Sequence, residues 1–261
     1  MQCLFCRIDA RGSRSREHII PESLGNTKYT LPPGVVCDRC NNYFSREVEK
    51  PFLDSPAVTF LRFHEAVPSK RGVVPRIGGI LLPHFPAVCW KEPKDSFLGH
   101  VELDADGLRH ILTTNGGKIV FPVEGRPPSD LVVSRFLAKV GLEAMAAKLV
   151  NHAEGLEYLT SEPQLDMVRN HARRGTTLDW PFSVRRIYYA DRTSADEHGA
   201  AVQVVHEFDF LQTEDGEWYF VLAVFGLELV LNMGGPEIDG YMHWLARNDN
   251  ASPLYWGKNA V

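Results

Sequence analysis

The stretch Val36-Cys37-Asp38-Arg39-Cys40-Asn41-Asn42 carries a pair of cysteines and opens a segment of helical spacing. Upstream, Cys3 and Cys6 repeat the same CxxC spacing, with residues 7–36 between the two pairs. Each CxxC turn presents two sulfurs on one side of the backbone. Two such turns brought together make the tetrahedral sulfur cage that zinc prefers. A large chain without a leader segment has little need for disulfides, so the spacings read as metal ligands. Cys3, Cys6, Cys37 and Cys40 are therefore expected to hold one structural Zn2+ with no open position. That ion would clamp a segment too small to form a core alone. Cys89, in the apolar string Ala87-Val88-Cys89-Trp90, is expected to be a buried small residue.

Inside the clamped loop lies Ser15-Arg16-Glu17-His18-Ile19-Ile20-Pro21-Glu22-Ser23, where a carboxylate and an imidazole precede a short apolar run. The local order reads as knuckle, hairpin, knuckle, helix. A short strand near Glu17–Ile20 leads to a turn at Leu24-Gly25-Asn26 and a second extended piece reaching Val36. A helix follows from Asp38 to Lys50, which Pro51 should stop. Neighbours on a strand point to opposite faces, so Glu17 and His18 should diverge unless twist at the strand end reconciles them.

The ordered set C-x2-C, Glu-His-Ile-Ile-Pro and C-x2-C-Asn resembles the HNH endonucleases of the ββα-metal (His-Me finger) superfamily. It is most similar to the subgroup whose core reads EHIIPESLG followed by VCDRCNN, and the resemblance covers residues 3 to about 50. It implies a metal-dependent endonuclease in which His18 is the general base for phosphodiester hydrolysis. It also implies that Glu17 and Asn41 hold a catalytic divalent ion, with Asn42 the alternative beside Asn41. Neutral imidazole suits a base near pH 7, and oxygen ligands suit Mg2+ or Mn2+. The products implied are a 5′-phosphate and a 3′-hydroxyl. Many relatives place an Asn shortly before the third cysteine to hold the loop that orients the histidine. Here Pro32 stands in that place and Asn26 reads as a turn residue, so the middle role is unassigned.

Arg11, Arg14 and Arg16 form a basic loop before the motif and are candidate nucleic-acid contacts through phosphate. Residues 1–50 hold eight Lys/Arg against six Asp/Glu, so residues 51–261 carry -7 of the net -5. Such a balance excludes a general nucleic-acid coat and leaves room for a local basic patch. The expected partner is nucleic acid, DNA first, and a homodimer is compatible with the sequence. The rival reading is a non-catalytic zinc module that binds nucleic acid or protein. Service in phage defence or mobile elements is an analogy only.

The 261 residues are 44% apolar and 23% charged, the make-up of a folded globular chain. No apolar run reaches the length of a membrane span and no basic-then-apolar leader is seen, which points to a cytoplasmic protein without membrane contact. The expected fold class is α+β: a zinc-stapled ββα-metal finger over residues 1–50, then a larger α+β domain with antiparallel strands over 51–261. The larger part would serve target recognition, dimerisation or regulation.

Within it, a short helix is expected over Ser55–Ala66, then a loop rich in Pro and Gly. A meander follows over His100–Val123, with turns at Asp104-Ala105-Asp106-Gly107 and Asn115-Gly116-Gly117. The clearest helix is Leu131–Val150. Val132, Val133, Phe136, Leu137, Val140, Ala144 and Met145 form its apolar face, and Arg135, Lys139 and Glu143 line another. A second helix spans Pro163–Arg174. The last third reads as strands at Ser183–Ala190, Ala201–Gln212, Trp218–Val224 and Leu227–Met233. Trp218, Tyr219 and Phe220 read as a core strand ahead of a base-stacking platform.

Overall fold

The computed structural model describes residues 1–93, 99–122, 125–152, 154–177, 179–195 and 198–258, and its class is the mixed α+β with antiparallel sheets that the sequence implies. Strand β1 (Glu17–His18) pairs with β2 (Thr30–Leu31), and the chain then enters helix α1 (Asp38–Phe44). Cys37 caps this helix by accepting the Cys40 N–H at 3.4 Å, so the second knuckle is also the helix start. The helical course does not stop at Pro51. A π-turn over Ser45–Glu49 precedes a further turn, α2 (Lys50–Leu53), which contains the proline. A proline in a regular helix collides with the carbonyl four residues back, and the wider π-turn lies where that collision would fall.

Next come α3 (Pro56–His64), β3 (Ile77–Leu81), β4 (Phe85–Trp90), β5 (His100–Leu103), α4 (Ala105–Thr114) and β6 (Ile119–Val120). The strands form one antiparallel sheet in the order β5-β4-β3-β6 around a core that includes Phe63, Val74 and Ile77. Two expectations are corrected here. The Pro/Gly-rich loop contains the paired strands β3 and β4, with Gly79 opposite Ala87. The meander is interrupted by α4, because Asp104 is an N-cap, not a turn residue: its carboxylate accepts the Gly107 N–H at 2.7 Å. Asn115, left-handed at φ 54°, ends that helix. The end of the expected meander, Val123, lies outside the described residues. Cys89 is half-buried, not fully buried, because β4 leaves it partly open beside the Phe63 core.

The remainder holds α5 (Asp130–Leu149), α6 (Gly155–Ser161), α7 (Asp166–Arg174), β7 (Phe182–Arg186), β8 (Thr193–Ala195), β9 (Ala201–Gln203), β10 (His206–Gln212), β11 (Trp218–Val224), β12 (Leu227–Asn232), α8 (Asp239–Arg247) and α9 (Tyr255–Lys258). Strands β10-β11-β12-β7 form an antiparallel sheet whose central strand buries Tyr219 and Phe220, while Trp218 stays exposed. Helix α5 crosses this sheet at Gly141, where a Cβ would stand 2.8 Å from the Met233 sulfur. Its polar stripe is not a solvent face. Lys139 and Glu143 are fully buried. No helix among the described residues is long and apolar enough to cross a membrane.

Two compact units result: residues 1–20, 26–50 and 129–261 in one, residues 21–25 and 51–128 in the other. One boundary falls after Lys50, but residues 129–261 share a unit with the finger, because polar bonds fasten the finger to the C-terminal helices. Arg169 Nε donates to the Leu4 carbonyl at 2.9 Å, Arg7 pairs with Asp166, and Arg135 Nη2 donates to the Tyr43 hydroxyl at 2.9 Å. Tyr29 also meets Phe208 edge-on at 5.0 Å.

Candidate functional site

The two knuckles lie side by side because the Leu4 N–H donates to the Val35 carbonyl at 2.9 Å and the Cys37 N–H to the Cys3 sulfur at 3.3 Å. The sulfurs of Cys3, Cys6, Cys37 and Cys40 all fall within 4.8 Å of one another, and those of Cys6 and Cys37 are 3.6 Å apart. A zinc tetrahedron with bonds of about 2.3 Å sets sulfurs about 3.8 Å apart, so the donor set fits this ion. Donation from the Cys40 thiol, against burial and with help from nearby main-chain N–H groups, brings the Cys3 thiol down to about 4. Among the described residues this is the one gathering of three or more His, Cys, Asp or Glu ligands close enough for a metal. Elemental analysis should find a single zinc per chain, and Cys37→Ser with Cys40→Ser should abolish it and make the finger sensitive to trypsin. Zinc retained in that variant would refute the assignment.

Within the loop that the cysteines clamp, Glu17 opposes Leu31 and His18 opposes Thr30. Alternation sends the two side chains apart as expected: Glu17 is buried and His18 is half-exposed. Ile19 and Ile20, both buried, anchor the strand end. The residue that sequence reasoning passed over is Asn26. Its Nδ2 donates to the carbonyls of Ile20 at 2.6 Å and Tyr29 at 2.9 Å, and its Oδ1 accepts the N–H groups of Lys28 at 3.0 Å and Tyr29 at 2.8 Å. With its amide fully used and buried, Asn26 ties the exit of β1 to the entry of β2. Its only signal in the sequence was its place after a turn glycine.

Glu17 reaches a buried charge cluster that the sequence did not disclose. The Lys139 ammonium of α5 lies 2.9 Å from Glu17 Oε1, 2.7 Å from Glu49 Oε1 and 2.9 Å from Glu143 Oε2, and donates to the His18 carbonyl at 3.2 Å. Burial pulls Lys139 down, but the three carboxylates outweigh it and hold the ammonium well above its ordinary range. Burial pushes the Glu143 carboxyl well up, against the pull of the Lys139 ammonium. One ammonium facing three carboxylates leaves the pocket short of positive charge. Glu17 Oε2, buried, has no hydrogen-bond partner among the described residues.

Asn41 sits half-exposed on α1, in the turn that begins at the second knuckle. Asp38 beside it pins the approach to β1: it accepts the Ser15 hydroxyl at 2.6 Å and the main-chain N–H groups of Ser15 and Arg14 at 2.9 and 3.1 Å. The expected arginine trio divides. Arg11 is forked onto Asp9, with Nη2 2.8 Å from Oδ2, and the hydrogen bonds from Arg11 hold that carboxyl at about 2. The guanidinium groups of Arg14 and Arg16 are exposed.

Residues 3–56 match the family model described as HNH endonuclease. The match spans about a fifth of the chain, takes in the four cysteines and the Glu17-His18 strand, and supports nuclease activity at the family level. No curated protein and no solved structure matches the chain.

Proposed function

We propose that the protein is a metal-dependent endonuclease that hydrolyses phosphodiester bonds in DNA, with His18 as the general base. The observation that carries this reading is the Asn26 staple, which closes the cysteine-clamped hairpin that carries His18 and leaves that residue half-exposed. In the reaction His18 takes a proton from water, the water oxygen bonds to phosphorus, and the bond to the 3′-oxygen breaks. That oxygen takes a proton from solvent, leaving a 5′-phosphate and a 3′-hydroxyl.

Glu17 Oε2, buried without a hydrogen-bond partner among the described residues, and the Asn41 amide would be the donors to a divalent cation, and the excess of carboxylates around Lys139 favours one beside Glu17. Oxygen donors suit Mg2+ or Mn2+, which when bound supplies charge neutralisation at the phosphate and the leaving oxygen. Lys139 holds the other Glu17 oxygen and the His18 carbonyl, so the two motif residues keep their geometry through α5. Target choice, dimerisation or control then falls to the parts of the chain outside the finger.

The ion pair of Glu17 with Lys139 also favours the rival, a non-catalytic zinc module. Incubation with plasmid separates the two. Nicking or linearisation should require added Mg2+ or Mn2+, stop on EDTA and return on resupply of the divalent ion. Binding without cutting at any concentration of either ion would leave the rival standing.

A further inference from the structure

Beside the thiolate cluster, a cleft of about 170 Å³ is lined by Arg39, Cys40, Tyr43, Arg173 and Arg174. Three cationic side chains face one hollow and, among the described residues, no carboxylate lines it. Among the described residues none of the three guanidinium groups has a carboxylate partner, in contrast to Arg11 on Asp9 and Arg7 on Asp166.

Helix stability does not account for this gathering. Arg39 is in the first turn of α1, where the aligned peptide dipoles disfavour a cation. Arg173 and Arg174 are in the last turn of α7, where a cation is favoured, but the work of capping is already done there. Arg135 donates to the carbonyls of Ala172 at 3.2 Å and Arg173 at 3.0 Å, and the Tyr43 hydroxyl also donates to the Arg173 carbonyl. Gly175, left-handed at φ 62°, closes the helix with its N–H on the His171 carbonyl at 2.8 Å. The same bonds fix α7 against α1, so the two sources of the arginines are held in register. What is left is a preformed cationic hollow whose charged groups have no partner among the described residues.

We propose that this cleft binds backbone phosphate of the nucleic-acid substrate. The strand is then gripped by the finger helix and by α7 together. The inference rests on the nuclease reading above and adds a subsite built from a helix outside the family match. Guanidinium forks suit phosphate oxygens, and such contacts position the strand without reading its sequence. An alternative duty for the three arginines would be to offset the charge of the metal-bound thiolates, and the test distinguishes it.

Binding of a labelled duplex DNA is followed by fluorescence anisotropy over a range of salt, with full-length protein in a His18→Ala background so that the duplex stays intact. Wild-type cleavage and zinc content are measured in parallel. Replacing Arg39, Arg173 and Arg174 together by Gln should weaken binding at least tenfold. It should also flatten the plot of log affinity against log salt by about 0.9 per lost phosphate contact. The corresponding Lys variant should keep most of the slope, since the charges remain. Zinc content and thermal midpoint should be unchanged in both. If the triple Gln variant fails to fold, the single Arg174→Gln variant, at an exposed position, should still lower the slope by about 0.9. An unchanged slope, with or without loss of zinc, overturns the cleft while the nuclease reading survives on wild-type cutting. A wild-type chain that neither binds nor cuts overturns both.

Discussion

Replacing His18 by alanine should slow cleavage by about 10²–10⁴-fold, the usual worth of a positioned general base. The effect should fall on the chemical step. His18 is half-exposed at the end of a two-residue strand, and the strand is held by groups other than its ring. Those groups are the Asn26 staple, the buried Ile19 and Ile20, and Lys139 on the His18 carbonyl, a main-chain atom that the substitution keeps. Zinc content, thermal midpoint and duplex affinity should therefore match the parent. Single-turnover cleavage with protein in excess reads the chemical step directly. A variant that cuts at the parental rate would remove His18 from the mechanism. Loss of zinc or of the thermal transition would instead assign His18 a structural duty.

Lys139→Met should destabilise the protein by about 3–5 kcal/mol at pH 7, the range for removing one partner of a buried ion pair. The reason is specific. Methionine matches the length of the lysine stem, but it leaves Glu17, Glu49 and Glu143 facing one another without their cation. Burial already pushes the Glu143 carboxyl up and Lys139 pulls it down, so without Lys139 it rises further above its value in the unfolded chain, near 4.3. Groups shifted upward contribute stability that is full below the unfolded value and is lost as pH rises through the folded one. The deficit relative to the parent should thus be largest at neutral pH and shrink as pH falls toward 5, as Glu143 takes up a proton. Urea midpoints of both proteins at pH 7 and pH 5 test this. Adding Glu143→Gln to Lys139→Met should recover part of the loss, since it removes one of the stranded charges. A deficit independent of pH, with no recovery in the double variant, would show that charge is not what Lys139 supplies.

Much of the candidate site is legible in the sequence because it depends on spacing over a few residues. A CxxC turn points two sulfurs the same way in any fold, and strand alternation alone separates Glu17 from His18. The uninterrupted apolar run of β11 can be only core: Tyr219, Phe220, Val221 and Leu222 have no exposed surface. Where one spacing serves two structures, local reading goes astray. Asp104 through Gly107 suits a turn as well as a helix cap, since both use a carboxylate on a main-chain N–H two or three residues on. Pro51 ends a regular helix but not one that has already widened into a π-turn.

Which groups a polar side chain meets is another matter. Helical periodicity puts Arg135, Lys139 and Glu143 on one stripe of α5 and is silent on what covers that stripe. Only the packed chain shows that the finger covers it, with Tyr43 on Arg135 and Glu17 and Glu49 on Lys139. Asn26 was equally opaque, because its role depends on two carbonyls that a hairpin brings to either side of its amide. By itself the sequence determined which four cysteines gather, the strand and the direction of its side chains, all consequences of backbone geometry over a handful of bonds. Tertiary structure decided the partners: burial strips water from a charge, and whichever distant group lies within 3 Å must then replace it.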